Sequence, residues 1–158
     1  MAAANKKKAP STRLAENRKA RFDYEILHEV EAGVALMGSE VKSIRDGKIS
    51  LKEAFCQFTN HELFLLQAHV GEFVQAHARN HTPLRPRKLL LKRAELDKLE
   101  QATQREGSTL VPLRMYVKGR VIKVQVALVR GKKLHDKRAS IKEREQKREM
   151  QRILRERR

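Results

Sequence analysis

The sequence predicts a mainly β domain with a few short helices (α+β), folded as an OB-like antiparallel β-barrel between two basic arms. Three observations predict it. About six short segments alternate apolar and polar residues and are set off by Gly or Asn. Only one internal stretch has clear helical spacing, and the basic residues crowd toward the ends of the chain. A length of 158 residues supports one domain with tails rather than two well-cored domains. The expected organisation is a basic, disordered arm over residues 1–16, a barrel over 17–130 and a basic tail over 131–158.

The elements follow in order. Phe22, Tyr24, Ile26 and Val30 alternate as one face of a strand, and Glu31-Ala32-Gly33 reads as a turn into Val34-Ala35-Leu36, a first hairpin. Residues 39–45 read as a short helix with Gly38 or Ser39 at its N-cap and Asp46-Gly47 as its stop. Lys42 and Arg45 share one side of it by the three-residue spacing. A second hairpin joins 55–59 to 62–69 through Asn60-His61, because Asn tolerates the positive φ of a two-residue turn. Residues 71–87 lack any period and read as an irregular connection. Residues 92–106 form the best helix, with Leu96, Leu99 and Thr103 on one face and Gly107 at the expected left-handed cap. Two strands close the domain. Val111, Leu113, Met115 and Val117 alternate with Arg114, Tyr116 and Lys118, and after Gly119 the pattern resumes with Ile122, Val124, Val126 and Leu128. Closure removes exposed sheet edges, which favours a barrel.

Charge defines the partner. Lys and Arg number 36 against 19 Asp and Glu, a net +17. Residues 1–21 hold seven basic and one acidic residue, residues 131–158 hold twelve and five, and the span between holds seventeen and thirteen. Such ends grip a polyanion around a near-neutral body, and nucleic acid is the leading candidate. The longest apolar runs, such as Leu63-Phe64-Leu65-Leu66, are far too short to span a membrane. The start, MAAANKKKAP, has a basic stretch with no apolar run after it, so the chain is expected to stay in the cytoplasm. Cys56 is the only cysteine, which fits a reducing compartment and excludes an internal disulfide or multi-cysteine zinc site. With two Tyr, five Phe and no Trp, the body is not a typical base-stacking platform. Phosphate, sugar and shape are expected to dominate, which favours folded RNA.

Catalysis is disfavoured. Glu31, Glu40, His69, His77 and His81 are possible acids and bases, and His77 with His81 has metal-ligand spacing on a helix. That segment precedes Pro83 without a helical pattern, and no Asp or Glu cluster suggests a metal pair. The reading assigns no cofactor and no metal.

The tail begins with a charged stretch and then changes character. Ser140-Ile141-Lys142-Glu143 matches a capping box, and Glu143 with Lys147 adds a favourable pair. Residues 140–158 contain no Gly or Pro. Ile141, Met150, Ile153 and Leu154 are too few for a continuous apolar stripe, so the tail is expected to be disordered alone and helical against an RNA-rich surface.

Several runs now bear on family. They are Asn17-Arg18-Lys19-Ala20-Arg21, Glu31-Ala32-Gly33, Gly38-Ser39-Glu40-Val41-Lys42-Ser43-Ile44-Arg45, Arg87-Lys88-Leu89-Leu90-Leu91, and Gly131-Lys132-Lys133 followed by His135-Asp136-Lys137-Arg138. Together they resemble the small protein B, or SsrA-binding protein, family from about Asn17 to the end. The resemblance implies an OB-like barrel that binds the tRNA-like domain of transfer-messenger RNA. The pair would enter ribosomes stalled on messages without a stop codon, for trans-translation, with elongation factor Tu as a further partner. It places RNA contacts at Asn17, Arg18, Lys19, Arg21, Glu31, Leu90, Lys118, Lys123, Arg130, Lys132 and Lys133. Leu90 by type is otherwise a core residue and Glu31 an ordinary turn residue. The resemblance also places His135, Asp136, Lys137 and Arg138 at the ribosomal decoding centre. Lys142, Arg144, Lys147, Arg148, Arg152, Ile153 and Leu154 would lie in the empty message channel. Many members carry a tryptophan where Gln146 stands here, so no aromatic contact is carried over.

Overall fold

The computed structural model describes residues 12–105 and 107–156, with the side chains of Leu134, His135 and Glu156 outside the description. Among the described residues, nine strands and four α-helices run in the order β1 (Thr12–Glu16), α1 (Arg18–Asp23), β2 (Tyr24–Val34), α2 (Gly38–Arg45), β3 (Ile49–Ser50), β4 (Phe55–Thr59), β5 (Glu62–Leu66), β6 (His69–Val70), β7 (Arg87–Leu90), α3 (Arg93–Thr103), β8 (Ser108–Lys118), β9 (Val121–Gly131) and α4 (Leu134–Glu156). The antiparallel pairings β8–β4–β5–β7–β2–β9 return to β8 and close a ring. β1 adds to β8, and β3 pairs with β6 as a separate ribbon.

The ring holds the main core. Leu63, Leu65, Leu110, Met115, Val124 and Val126 are at most 1% exposed inside it, and each large side chain so buried contributes about 2 kcal/mol. Cys56 joins this core, and burial pushes its thiol well above its ordinary range. A smaller core lies outside the ring, where Ala20 of α1 covers Val111, Leu113, Ala127 and Val129.

The second hairpin forms as expected: β4 and β5 pair, and Asn60 and His61 take φ of +50° and +61°. The β8–β9 hairpin turns at Gly119, whose φ is +64°. α2 lies where it was expected, but its N-cap is Met37, whose backbone N–H donates to Glu40 at 2.8 Å.

The structure departs from the other expectations as follows. No hairpin forms at Glu31-Ala32-Gly33, because β2 runs unbroken to Val34 and pairs with β9 over most of its length. The glycine signals close approach instead: a Cβ on Gly33 would lie 3.3 Å from the Leu90 Cβ, its partner on β7. Phe22, expected in that strand, belongs to α1.

The alternation in β8 also breaks. The register shifts between Pro112 and Arg114, so Val111 and Leu113 face outward under α1 while Met115 and Val117 face the ring interior.

The basic arm expected over 1–16 lies outside the described residues up to position 11. Its last five residues form β1, with Thr12 opposite Val117 and Glu16 opposite Arg114.

The tail is one helix of 23 residues beginning at Leu134. Ser140 is therefore inside the helix rather than at its cap, and its hydroxyl donates to Asp136 O at 2.9 Å.

Candidate nucleic-acid interface

The outward side chains of β2, β9 and β8 form one polar strip. Glu31 stands at its upper end, with Tyr116 Oη donating to one carboxylate oxygen and Lys118 Nζ donating to the other at 3.0 Å. The Tyr116 hydroxyl holds the Glu31 carboxyl below its usual range, against the opposing effect of burial, and Lys118 adds to this. Burial, with the Glu31 hydrogen bond and charge adding to it, pushes the Tyr116 phenol above its ordinary range. Glu31 is thus a firm anion whose two oxygens are both engaged. With Lys118 engaged by Glu31, the charge left to meet a phosphate at this end comes from Lys123. An open depression beside it is lined by Glu31, Leu90, Leu91, Lys92, Glu95 and Lys123. Leu90 is 52% exposed, so it is a surface residue and not core.

Four residues that the sequence reading passed over join this corner to α1. The Arg114 guanidinium lies 5.5 Å from the centre of the Tyr116 ring and donates to Gln125 Oε1 at 2.6 Å. Gln125 donates in turn to Glu29, which lies 3.9 Å from the Arg21 guanidinium. Glu31 and Gln125 are direct cross-strand partners, a pairing visible only once the register is known.

The second part of the strip is the start of α1 and the end of β9. Asn17 is 6% exposed and its Oδ1 accepts from Ala20 N at 3.2 Å, so it caps α1 and fixes the neighbours that face solvent. Arg18 is almost fully exposed, 3.6 Å from Glu16, and Lys19 is exposed beside it. Arg130 pairs with Glu25 at 3.0 Å. Lys132 is drawn toward α1: its backbone N–H donates to Asp23 O at 3.1 Å and its Nζ to Arg21 O at 3.3 Å. Lys133 is exposed.

Helix α4 leaves the body at this point. Lys137 Nζ lies 4.0 Å from Asp23 Oδ1, and the Arg144 guanidinium sits 5.6 Å from the centre of the Phe22 ring. Asp136 and Arg138 lie exposed in its first turns. Residues 141–155 are exposed throughout, including Lys142, Lys147, Arg148, Arg152, Ile153 and Leu154. Arg148, Arg152 and Arg155 gather around Gln151 on one side.

The SmpB protein family matches residues 14–156 of this chain. The chain belongs to the SmpB protein family. Among its relatives, the SsrA-binding protein of Acaryochloris marina is 54% identical over 89% of this chain and 92% of its own. That of Rhodopseudomonas palustris is 51% identical over 98% and 99%, and that of Levilactobacillus brevis 49% identical over 98% of both. A solved chain described as "tmRNA-SmpB: a journey to the center of the bacterial ribosome" matches with a TM-score of 0.63 and 45% identity, covering 75% of this chain and 84% of the other.

In this SmpB chain two of the five groups weighed as acids or bases, Glu40 and His81, hold the fold together. Glu40 and Arg87 are wholly buried. The Glu40 carboxylate accepts from Arg87 Nε at 2.8 Å and from Arg85 at 2.6 and 3.1 Å. Burial raises the Glu40 carboxyl, but the Arg85 hydrogen bond, the Met37 N–H and Arg87 outweigh it and leave the group below its usual range. Arg87 also donates to the carbonyls of Ala68 and Pro83 at 2.7 and 3.1 Å. His81 is 4% exposed, with one ring nitrogen 2.9 Å from Ser39 Oγ and the other 3.0 Å from Val70 O. His77, with φ of +46°, breaks the short 3-10 segment Val74–Arg79 rather than sharing a helical face with His81. Among the described residues, no group of three His, Cys, Asp or Glu side chains is placed to hold a metal.

Proposed function

We propose that this chain is an SsrA-binding protein with no catalytic role, which binds the tRNA-like domain of transfer-messenger RNA and carries it to stalled ribosomes. The observation that carries this reading is the continuous strip from Arg18 and Lys19 through Arg21 to Lys118 and Lys123, beside which α4 projects as a separate basic rod. The strip offers guanidinium and ammonium groups to a folded backbone, and Leu90 with Glu31 adds an apolar and a hydrogen-bonding feature at one end. The relatives' common name and the solved complex with tmRNA point to the same partner.

The ring is read as an OB-like barrel, forming a body up to residue 130, and the tail over 131–158 as a second functional part. His135, Asp136, Lys137 and Arg138 would meet the decoding centre, while Lys142, Arg144, Lys147, Arg148, Arg152, Ile153 and Leu154 line the message channel. The almost complete exposure of α4 supports a helix that gains its stability from ribosomal RNA and is disordered without it. Elongation factor Tu completes the set of partners, and the work is cytoplasmic.

Removing residues 134–158 while keeping Lys132 and Lys133 tests the division. Binding to tRNA-like RNA should stay within about threefold of the full chain, since the strip and the Lys132 contacts remain. Peptide tagging on stalled ribosomes should be lost. Tagging that survives the truncation would remove α4 from the mechanism.

A further inference from the structure

A hollow of about 320 Å³ opens between α1 and the loop leading into β4. The residues that line it include Tyr24 and Phe55, Lys19 and Lys52, and Asp23 and Glu53. Phe55 is 38% exposed even though it begins a core strand. Lys19 and Lys52 are exposed, and neither enters an ion pair among the described residues. The whole chain has two Tyr and five Phe, and two of these seven line one opening.

A phosphate alone fits this wall badly, because Asp23 and Glu53 would repel it and the rings would contribute nothing. An apolar side chain would make no use of Lys19 and Lys52, neither of which has an ion-pair partner among the described residues, or of Glu53; Asp23 already faces Lys137. A nucleotide uses every part. The rings offer a stacking face, the carboxylates accept the amino and imino N–H groups of a base, and the lysines reach the flanking phosphates. The volume also lies within the range of small-ligand clefts. We propose that this hollow receives one unpaired base of the bound RNA, stacked on Phe55, with the adjoining backbone held by Lys19 and Lys52. The inference rests on the RNA-binding reading above and goes beyond it. The strip on β2, β8 and β9 reads backbone and shape, whereas the hollow adds a base contact that only an unstacked nucleotide can make. The Asn17 cap has a place in this, because it fixes the start of α1 and so sets Lys19 at the rim. Asp23 is shared with the tail, since Lys137 stands 4.0 Å away.

The absence of tryptophan makes the test direct. Phe55→Trp places a single indole in the hollow of the full chain, and its emission is followed while tRNA-like RNA or, separately, inorganic polyphosphate is added. Strong quenching by the RNA and little by polyphosphate is expected. Phe55→Leu and Lys52→Ala, with melting temperatures checked against the parent, should weaken RNA binding about tenfold and about threefold. An indole signal that is the same with saturating RNA and with polyphosphate overturns the proposal, as does unchanged affinity in both other variants. If Phe55→Leu does not fold, the indole signal and Lys52→Ala decide. Should Lys123→Ala weaken binding while all three hollow variants behave like the parent, the hollow fails and the strip stands. A parent chain with no affinity for tRNA-like RNA would overturn both.

Discussion

Glu40 and Glu31 are both carboxylates held by cations, yet they sit in opposite settings. Glu40 is sealed between α2 and the chain leading into β7, where Arg85 and Arg87 neutralise it and bind the irregular segment to the ring. Glu31 is over a third exposed in its side chain, and its partners Tyr116 and Lys118 stand on the surface strip. Both carboxyls are held below their ordinary range, so a lowered carboxyl does not by itself mark a binding site. Exposure separates them. A sealed ion cluster fixes the fold, and a half-exposed one remains available to a ligand.

The strongest test of this contrast is Glu40→Gln. It leaves Arg87 buried with its charge uncompensated, which should cost about 3–5 kcal/mol and lower the melting temperature by about 10 °C. RNA affinity of the molecules that remain folded should not change. A loss of affinity without a loss of stability would break the contrast.

Acid gives a smaller, graded effect. Because the folded-state carboxyl of Glu40 titrates below its ordinary 4.5, its contribution is fully present above that value. It is lost as pH falls through the lower folded-state value. Denaturant midpoints of the parent and of Glu40→Gln should therefore converge as pH drops from neutral to about 3. A constant gap across that range would show that the carboxylate charge does not matter.

Glu31→Gln and Lys123→Ala should have the least effect on stability, within about 1 kcal/mol. Their effect belongs to binding. Glu31→Gln weakens the acceptor that holds Tyr116 and Lys118 in place and that would meet an RNA N–H or O–H, so affinity for tRNA-like RNA should fall about fivefold. Lys123→Ala should reduce the slope of log affinity against log salt by about one. If Glu31→Gln unfolded the chain as Glu40→Gln does, the two clusters would be structural alike.

The sequence made part of this legible. Hairpin β4–β5 was readable because Asn60-His61 is a local turn signal, and the basic groups of α1 and the tail were readable from charge alone. The misreadings share a cause. Gly33 carries the composition of a turn but answers to Leu90 on another strand, and the shift after Pro112 reverses which residues face the core. Neither is visible in period-two alternation, because both depend on partners far along the chain. Tyr116, Arg114, Gln125 and Glu29 were missed for the same reason: each is ordinary alone, and the strip exists only when β2, β9 and β8 are in register. Glu40, Arg85 and Arg87 lie within or beside motifs that pointed to the family, yet nothing local shows that they meet.

The attachment of α4 has a mechanical consequence. Among the described residues it meets Asp23, Phe22 and Lys132 through its first three turns, while its 23 residues reach about 35 Å at about 1.5 Å each. It is therefore a lever with a short fulcrum. A tilt of about 10° at the base would carry the far tip roughly 6 Å, about one turn of helix. Side chains near Lys137 set the angle, and those near Arg152 and Leu154 register it as displacement. Small changes at α1 should thus be felt most at the far end of the rod.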